Sequence, residues 1–343
     1  MIDVLFDQKN HGGIITLNRP QALNSLSHAM ILAIRNQLLK WREDPKIKFI
    51  ILKSSDDRAF CAGGDLKELY ALHQQKRITE LEKFFKDEYE LNKLIFNYPK
   101  PYISLIHGIN MGGGMGVSIH GAFRIVSEKA TLAMPEVHIG LFPDAAAAHF
   151  FCQCPGALGL FLSLTGYYMN SADALYAGIA THYVPRENFD LLAETLVNAP
   201  LSDDFREVVY EVIEMFSTGE PPVLSEVAQH RDLIEKVFSQ GLDDVLTEMM
   251  LTKNSWLKNV GRKLAEASPF SLKITFKMIK ESYGKSFEDI FQQDLKLAQY
   301  FSMKPDFYEG IRAALIDRDS NPAWQFSSVD EVPDVVVSKA FKG

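Results

Sequence analysis

The chain has 343 residues, is 47% hydrophobic and 23% charged, and carries a formal net charge of −8. That apolar content suffices for a large buried core, in one large domain or one domain plus an appendage, and the acidic balance argues against non-specific nucleic-acid binding. No apolar run reaches the roughly 18 residues that a membrane-spanning helix needs, and the three cysteines, an odd number, argue against a disulfide framework.

The first 190 or so residues read as short strands alternating with helices. Gly13 to Asn18 predicts a strand that stops at Arg19-Pro20, because proline cannot donate to a ladder. Ser27 to Arg42 places Met30, Ile31, Ile34, Leu38, Leu39 and Trp41 near a helical period. Phe49 to Leu52 reads as a buried strand by its length and β-branching, Tyr102 to Ile106 as another leading into His107-Gly108, and Phe123 to Val126 as a third. A helix is expected from Phe84 to Leu94. Strand, glycine turn and helix recur without the long alternation of a doubly wound sheet, so the α/β fold expected is a coiled spiral of strands with helices packed outside. From about residue 190 helical patterns dominate: Asp190 to Val197, Asp204 to Phe216, Arg231 to Phe238, Leu242 to Met249, Ser271 to Tyr283 and Phe287 to Phe301. The expected organisation is a core over residues 1–190 and a helical region over residues 191–343.

The start, Met1-Ile2-Asp3-Val4, has neither the basic-then-apolar layout of a signal peptide nor the Arg- and Ser-rich character of a transit peptide. With the unpaired cysteines this leads to the expectation of a cytoplasmic protein. Cys152-Gln153-Cys154 has the wrong spacing for a zinc knuckle and no third ligand near it in the chain, so Cys61, Cys152 and Cys154 are expected to be plain thiols and no metal is expected.

The residues that carry chemistry lie in the first part. Cys61-Ala62-Gly63-Gly64-Asp65-Leu66 and Asn110-Met111-Gly112-Gly113-Gly114-Met115-Gly116 each follow a predicted strand. Glycine turns at that place can offer free main-chain N–H groups, and two such groups converging on one oxygen make an oxyanion hole. Neither turn matches G-x-G-x-x-G, and no Walker Lys-Ser/Thr follows, which weakens a nucleotide-phosphate reading. Downstream, Met134-Pro135-Glu136 and Phe142-Pro143-Asp144 set two acids eight positions apart, a layout suited to stabilising charge on a carbonyl oxygen while moving a proton or a water. His107, His120 and His138 form no H-x-x-x-H pair and are expected to be structural. The Gly116 to His120 stretch lacks the closing glycine of a nucleophile elbow. Arg35, Lys40, Arg42, Lys46, Lys48, Lys53 and Arg58 crowd one region and could face an anionic ligand or plain solvent.

Taken in order, Asn18 to Leu26, Ala59 to Leu66, Gly112 to Gly116 and Met134-Pro135-Glu136 with Gly140 resemble the crotonase (enoyl-CoA hydratase/isomerase) superfamily. The resemblance implies a spiral of ββα units, an acyl-CoA substrate, no separate cofactor, and a homo-oligomer of trimer type. It also implies that the N–H groups of Gly64 and Gly113 bind the thioester oxygen, and that Ala22, Leu23, Ala62 and Asp65 hold the CoA moiety. Family hydratases carry a second glutamate where this chain has Gly116, so water addition would lack one of its two acid/base partners. With Asp144 at a place where glycine is typical, and with further matches at Asp87 to Asn92 and Asp306 to Asp319, the chain is more similar to the branch that hydrolyses 3-hydroxyisobutyryl-CoA in valine breakdown.

That branch implies Glu136 as nucleophile or as base for water, Asp144 as partner of the substrate 3-hydroxyl, and Glu88 as a further substrate contact. One departure stands out: Ala145 to Ala148 follow Asp144 where the family has a glycine or two. Four alanines favour a helix starting near Pro143, with Asp144 close to its N-terminus as a cap. Two alternatives stay open: an enoyl-CoA hydratase or isomerase working with Glu136 alone, and a non-catalytic acyl-CoA binder.

Overall fold

The computed structural model describes residues 2–200, 204–217 and 219–342; residues 1, 201–203, 218 and 343 lie outside it. The chain divides into two compact units that interleave in sequence. One comprises the segments up to Gly64, Glu90–Leu132 and Met169–Glu226; the other comprises Asp65–Tyr89, Ala133–Tyr168 and the chain from Val227 onward.

The first unit is built on strands that come in pairs. β1 (Val4–Lys9) and β2 (Gly12–Leu17) form an antiparallel hairpin in which Val4 faces Leu17 and Lys9 faces Gly12. After α1 (His28–Glu43), the chain lays down β3 (Phe49–Ser54) and β4 (Ala59–Cys61), later β5 (Tyr102–Ile106) and β6 (Ile109–Met111), then α2 (Gly113–Ser118), then β7 (Phe123–Val126) and β8 (Thr131–Ala133), and last β9 (His182–Tyr183). The hairpin β1/β2, the first member of each of the pairs β3/β4, β5/β6 and β7/β8, and the lone β9 form a six-stranded sheet of order β1-β2-β3-β5-β7-β9, parallel from β2 onward. The second member joins a three-stranded sheet of order β4-β6-β8. Each of the three turns β3/β4, β5/β6 and β7/β8 therefore adds one strand to both sheets, which is the ββα spiral.

Chemistry explains the elements. Val, Ile and Phe fill β2, β3, β5 and β7 because strands covered on both faces tolerate few polar side chains. One sheet face, through Ile14, Phe49, Ile51, Ile103, Leu105 and Ile125, packs on Leu192, Leu196, Val209 and Ile213 of helices Phe189–Asn198 and Phe205–Phe216. Each such fully buried aliphatic or aromatic side chain contributes about 2 kcal/mol. Helix α1 begins where Ser27 Oγ accepts the Met30 N–H at 3.3 Å, and it buries Met30, Ile31, Ile34, Leu38 and Trp41 on one face.

The second unit is helical. Helix Leu158–Thr165 is buried along its whole length, and it packs against helices Arg231–Phe238, Ser255–Ala265 and Pro269–Ser282. Phe161 is the hub there, with ring centroids 5.1 Å from Phe238 and 5.5 Å from Trp256. Helix Phe287–Phe301 opens with a capping box between Ser286 and Asp289, and Phe301 ends it 5.3 Å from Phe142 and 5.1 Å from Phe270. None of the helices among the described residues is long and apolar enough to cross a membrane.

Candidate active site

In the first unit the two glycine turns lie side by side. Asn24 is fully buried, and its amide donates to Ser54 Oγ at 2.7 Å and to the Phe60 carbonyl at 3.1 Å, tying the Ala22–Asn24 turn to β4. The Ala62 N–H donates to the Leu23 carbonyl (3.0 Å), and the Leu26 N–H to the Gly63 carbonyl (2.8 Å). Ala22, Leu23 and Ala62 are thus gathered in one backbone-lined place. Gly63 has a φ of +103°, and a methyl group there would lie 3.3 Å from the Met111 carbonyl oxygen and 3.7 Å from the Gly113 nitrogen. Gly114 allows α2 to start against β4, since a Cβ would fall 2.6 Å from the Cys61 carbonyl. Gly113 is the first residue of α2, where a helix offers its N–H no internal acceptor. Among the described residues no main-chain carbonyl takes the Gly64 or the Gly113 N–H.

In the second unit, four acids are buried together. Glu88 sits on helix Ile78–Phe96 and is 3% exposed; Glu136 opens a short 3-10 turn, Glu136–Ile139, and is 5% exposed. Asp144 and Asp294 are 6% and 1% exposed. Among the described residues, no Lys or Arg pairs with any of them. The Tyr89 hydroxyl donates to Asp144 Oδ2 at 2.7 Å, and the Ala146 N–H to Asp294 Oδ2 at 2.7 Å. Among the described residues, one oxygen of Glu136, Oε2, and one of Asp294, Oδ1, have no partner.

Burial without countercharge makes ionisation costly. Burial first, then the nearby Asp144 carboxylate, hold Glu88 and Glu136 well above the usual range for glutamate. Burial pushes Asp144 up to about 6, and the Tyr89 hydrogen bond limits that rise. Burial raises Asp294 well above the normal aspartate range, opposed by the Ala146 N–H. Such a cluster can store a proton, and Glu136 keeps an unengaged oxygen for an incoming group.

The expected helix start near Pro143 is corrected. Ala145 and Ala146 adopt left-handed φ values of 55° and 58°, and the helix runs only from Ala147 to Phe151, with no side-chain cap. Asp144 caps nothing; its carboxylate accepts from Tyr89 instead. Each left-handed alanine costs about 1 kcal/mol. Helix propensity adds only a few tenths of a kcal/mol per residue, and the hydrogen bond from the Ala146 N–H to Asp294 Oδ2 offsets part of the total. The backbone thereby keeps the shape that glycine would adopt freely.

The remaining residues fall as follows. Asp65 N-caps helix Leu66–Gln74 by accepting the Glu68 N–H at 3.2 Å. In the basic region, Arg58 pairs with Asp56, Arg42 with Glu43, and Lys53 with Asp190. Arg35 and Arg42 line a groove of about 250 Å³ with Glu90 and Lys93. His107 meets Ser127 Oγ at 2.6 Å, His138 meets the Thr165 carbonyl at 3.0 Å, and His120 lies edge-on to Phe96. All three cysteines are free, and burial pushes the Cys152 thiol up to about 11 and the Cys154 thiol up to about 12. Among the described residues no group of three His, Cys, Asp or Glu is arranged to hold a metal ion. Sequence reasoning missed Tyr89 and Asp294. Tyr89 adjoins Glu88 in a stretch already singled out, whereas mid-helix Asp294 carries no local signal.

A family model for enoyl-CoA hydratase/isomerase matches residues 12–341. The chain belongs to the enoyl-CoA hydratase/isomerase family. It is 38% identical over 344 residues to "3-hydroxyisobutyryl-CoA hydrolase, mitochondrial" of Danio rerio, covering 99% of this chain and 89% of that one. The Bos taurus protein of the same name is 39% identical over 349 residues, covering 99% and 88%. Among solved structures, a carnitinyl-CoA dehydratase from Mycobacterium thermoresistibile superposes with a TM-score of 0.91 at 32% identity, covering 99% of this chain and 96% of that one. The crotonase-like spiral with a helical C-terminal part is therefore the fold of this family. The names of both curated relatives place them in mitochondria, which overturns the cytoplasmic expectation. Unpaired thiols select a reducing environment and not an address; the address is a targeting signal read by receptors, independent of the fold.

Proposed function

We propose that the chain hydrolyses 3-hydroxyisobutyryl-CoA to 3-hydroxyisobutyrate and CoA, a step of valine breakdown. The observation that carries this reading is the near full-length likeness to proteins named for that activity, in a chain that buries Glu136 beside Asp144 and has glycine at position 116. Hydration of a double bond needs two acid/base groups, and Gly116 supplies none. Thioester cleavage needs one carboxylate, an oxyanion site and a leaving thiolate.

In this reading the Gly64 and Gly113 N–H groups bind the carbonyl oxygen, whose charge grows as the tetrahedral intermediate forms. Ionised Glu136 adds to the carbonyl carbon, or takes a proton from the water that does. The C–S bond breaks, CoA leaves as thiolate and is protonated, and in the covalent route water then cleaves the mixed anhydride. Asp144 accepts the substrate 3-hydroxyl, Glu88 borders the acyl group, and main chain at Ala22, Leu23, Ala62 and Asp65 holds CoA. No metal or redox group enters this chemistry. Assembly into a homo-oligomer of trimer type belongs to the same reading and is checked by light scattering.

The experiment is release of free CoA from 3-hydroxyisobutyryl-CoA, followed with a thiol reagent, beside loss of the conjugated enoyl absorbance of crotonyl-CoA, which reports hydration. Hydrolysis of the first without hydration of the second is expected, and Glu136→Gln abolishes it. Hydration of crotonyl-CoA alone, or turnover unchanged in Glu136→Gln, refutes the assignment.

A further inference from the structure

We propose that Asp294 is a positioning residue for this hydrolysis: through the Ala146 N–H it holds the left-handed turn that aims Asp144. The inference rests on the proposed role of Asp144 at the substrate.

Asp144 is constrained at two ends. Its Oδ2 accepts from the Tyr89 hydroxyl at 2.7 Å, and the main chain directly after it passes through two left-handed alanines. Alanine is the strongest helix former, and only two residues separate Asp144 from helix Ala147–Phe151. Left alone, Ala145 and Ala146 would relax to right-handed values and extend that helix backward, swinging the Asp144 backbone with them.

A contact opposing this is Asp294 Oδ2 on the Ala146 N–H, at 2.7 Å. Helix Phe287–Phe301 delivers it, anchored by Phe301 against Phe142 two positions before Asp144. Nothing in that helix requires an acid at position 294. The side chain is 1% exposed, its Oδ1 has no partner among the described residues, and an apolar residue there would avoid the desolvation cost. The acid is accounted for by the one N–H it binds. Where glycine follows the catalytic aspartate, the turn needs no such clamp; with alanine it does.

The test is steady-state hydrolysis of 3-hydroxyisobutyryl-CoA, with product inhibition by CoA, for wild type, Asp294→Asn, Asp294→Ala, Ala146→Gly and the Asp294→Ala/Ala146→Gly pair. Asp294→Asn keeps an acceptor for the N–H and stays within about threefold of wild-type kcat. Asp294→Ala lowers kcat by about tenfold to a hundredfold, as a misaimed reacting group does, while inhibition by CoA is unchanged. Adding Ala146→Gly restores most of the loss, because glycine takes the left-handed turn unaided. Wild-type kcat in Asp294→Ala, or a loss that Ala146→Gly leaves untouched, overturns the inference. Hydrogen exchange on the wild-type protein is a second measurement, independent of whether any variant folds: the Ala146 amide is expected to be strongly protected, and rapid exchange overturns the clamp. A wild-type chain that releases no CoA from this ester defeats the functional reading instead, so the two failures are distinct.

Discussion

Replacing Asp144 with asparagine should stabilise the protein, and increasingly so as pH rises. Asp144 is buried, and burial moves its carboxyl from 3.8 to about 6. A carboxyl raised in the folded state binds its proton more tightly there than in the unfolded chain. Its contribution is therefore intact below about pH 4 and declines as pH climbs toward about 6, beyond which the penalty is constant. At about 1.4 kcal/mol per pH unit, that displacement makes a full penalty of about 3 kcal/mol. Asparagine has no charge to desolvate, and its oxygen can still accept from Tyr89. Removing the Asp144 charge also relieves Glu88 and Glu136, which it pushes upward, so those effects add in the same direction. Urea denaturation of both proteins from about pH 4.5 to 8 is the assay. The stability difference in favour of Asp144→Asn should grow by about 2 kcal/mol between about pH 4.5 and 7 and then level off. A difference that does not vary with pH would refute the reasoning, as would a variant that loses stability as pH rises.

The acid limb of kcat/KM should lie above the ordinary glutamate value of 4.5, because Glu136 must be ionised to act and burial among Asp144 and Glu88 resists that. Rate rises with pH through that limb, and a limb at or below 4.5 in a pH–rate profile would contradict the assigned environment. Ala146→Gly should raise stability by about 0.5 kcal/mol in urea melts: relief of left-handed strain exceeds the added freedom of the unfolded chain by a little. A loss of more than about 1 kcal/mol would show that the alanine methyl is held by packing and not merely tolerated.

Several features were legible in local sequence. Apolar, β-branched runs marked β2, β3, β5 and β7, and Ser27 with its periodic apolar face marked α1. The short strands β4, β6 and β8 were not legible, since three residues are too few to show a period. Their place is set by pairing across turns of the spiral. The two glycine turns could be recognised because glycine is required where φ is positive, as at Gly63 and Gly112, or where main chains touch, as at Gly114. Glu136 and Asp144 could be picked out as acids, but not their ionisation. That depends on Tyr89, Glu88 and Asp294, which burial gathers without a countercharge. The alanine run shows the division most sharply. Intrinsic propensity, which acts along the chain, favoured a helix from Pro143. The outcome was decided by a carboxylate from a distant helix reaching one N–H, an interaction that exists only once both segments are folded.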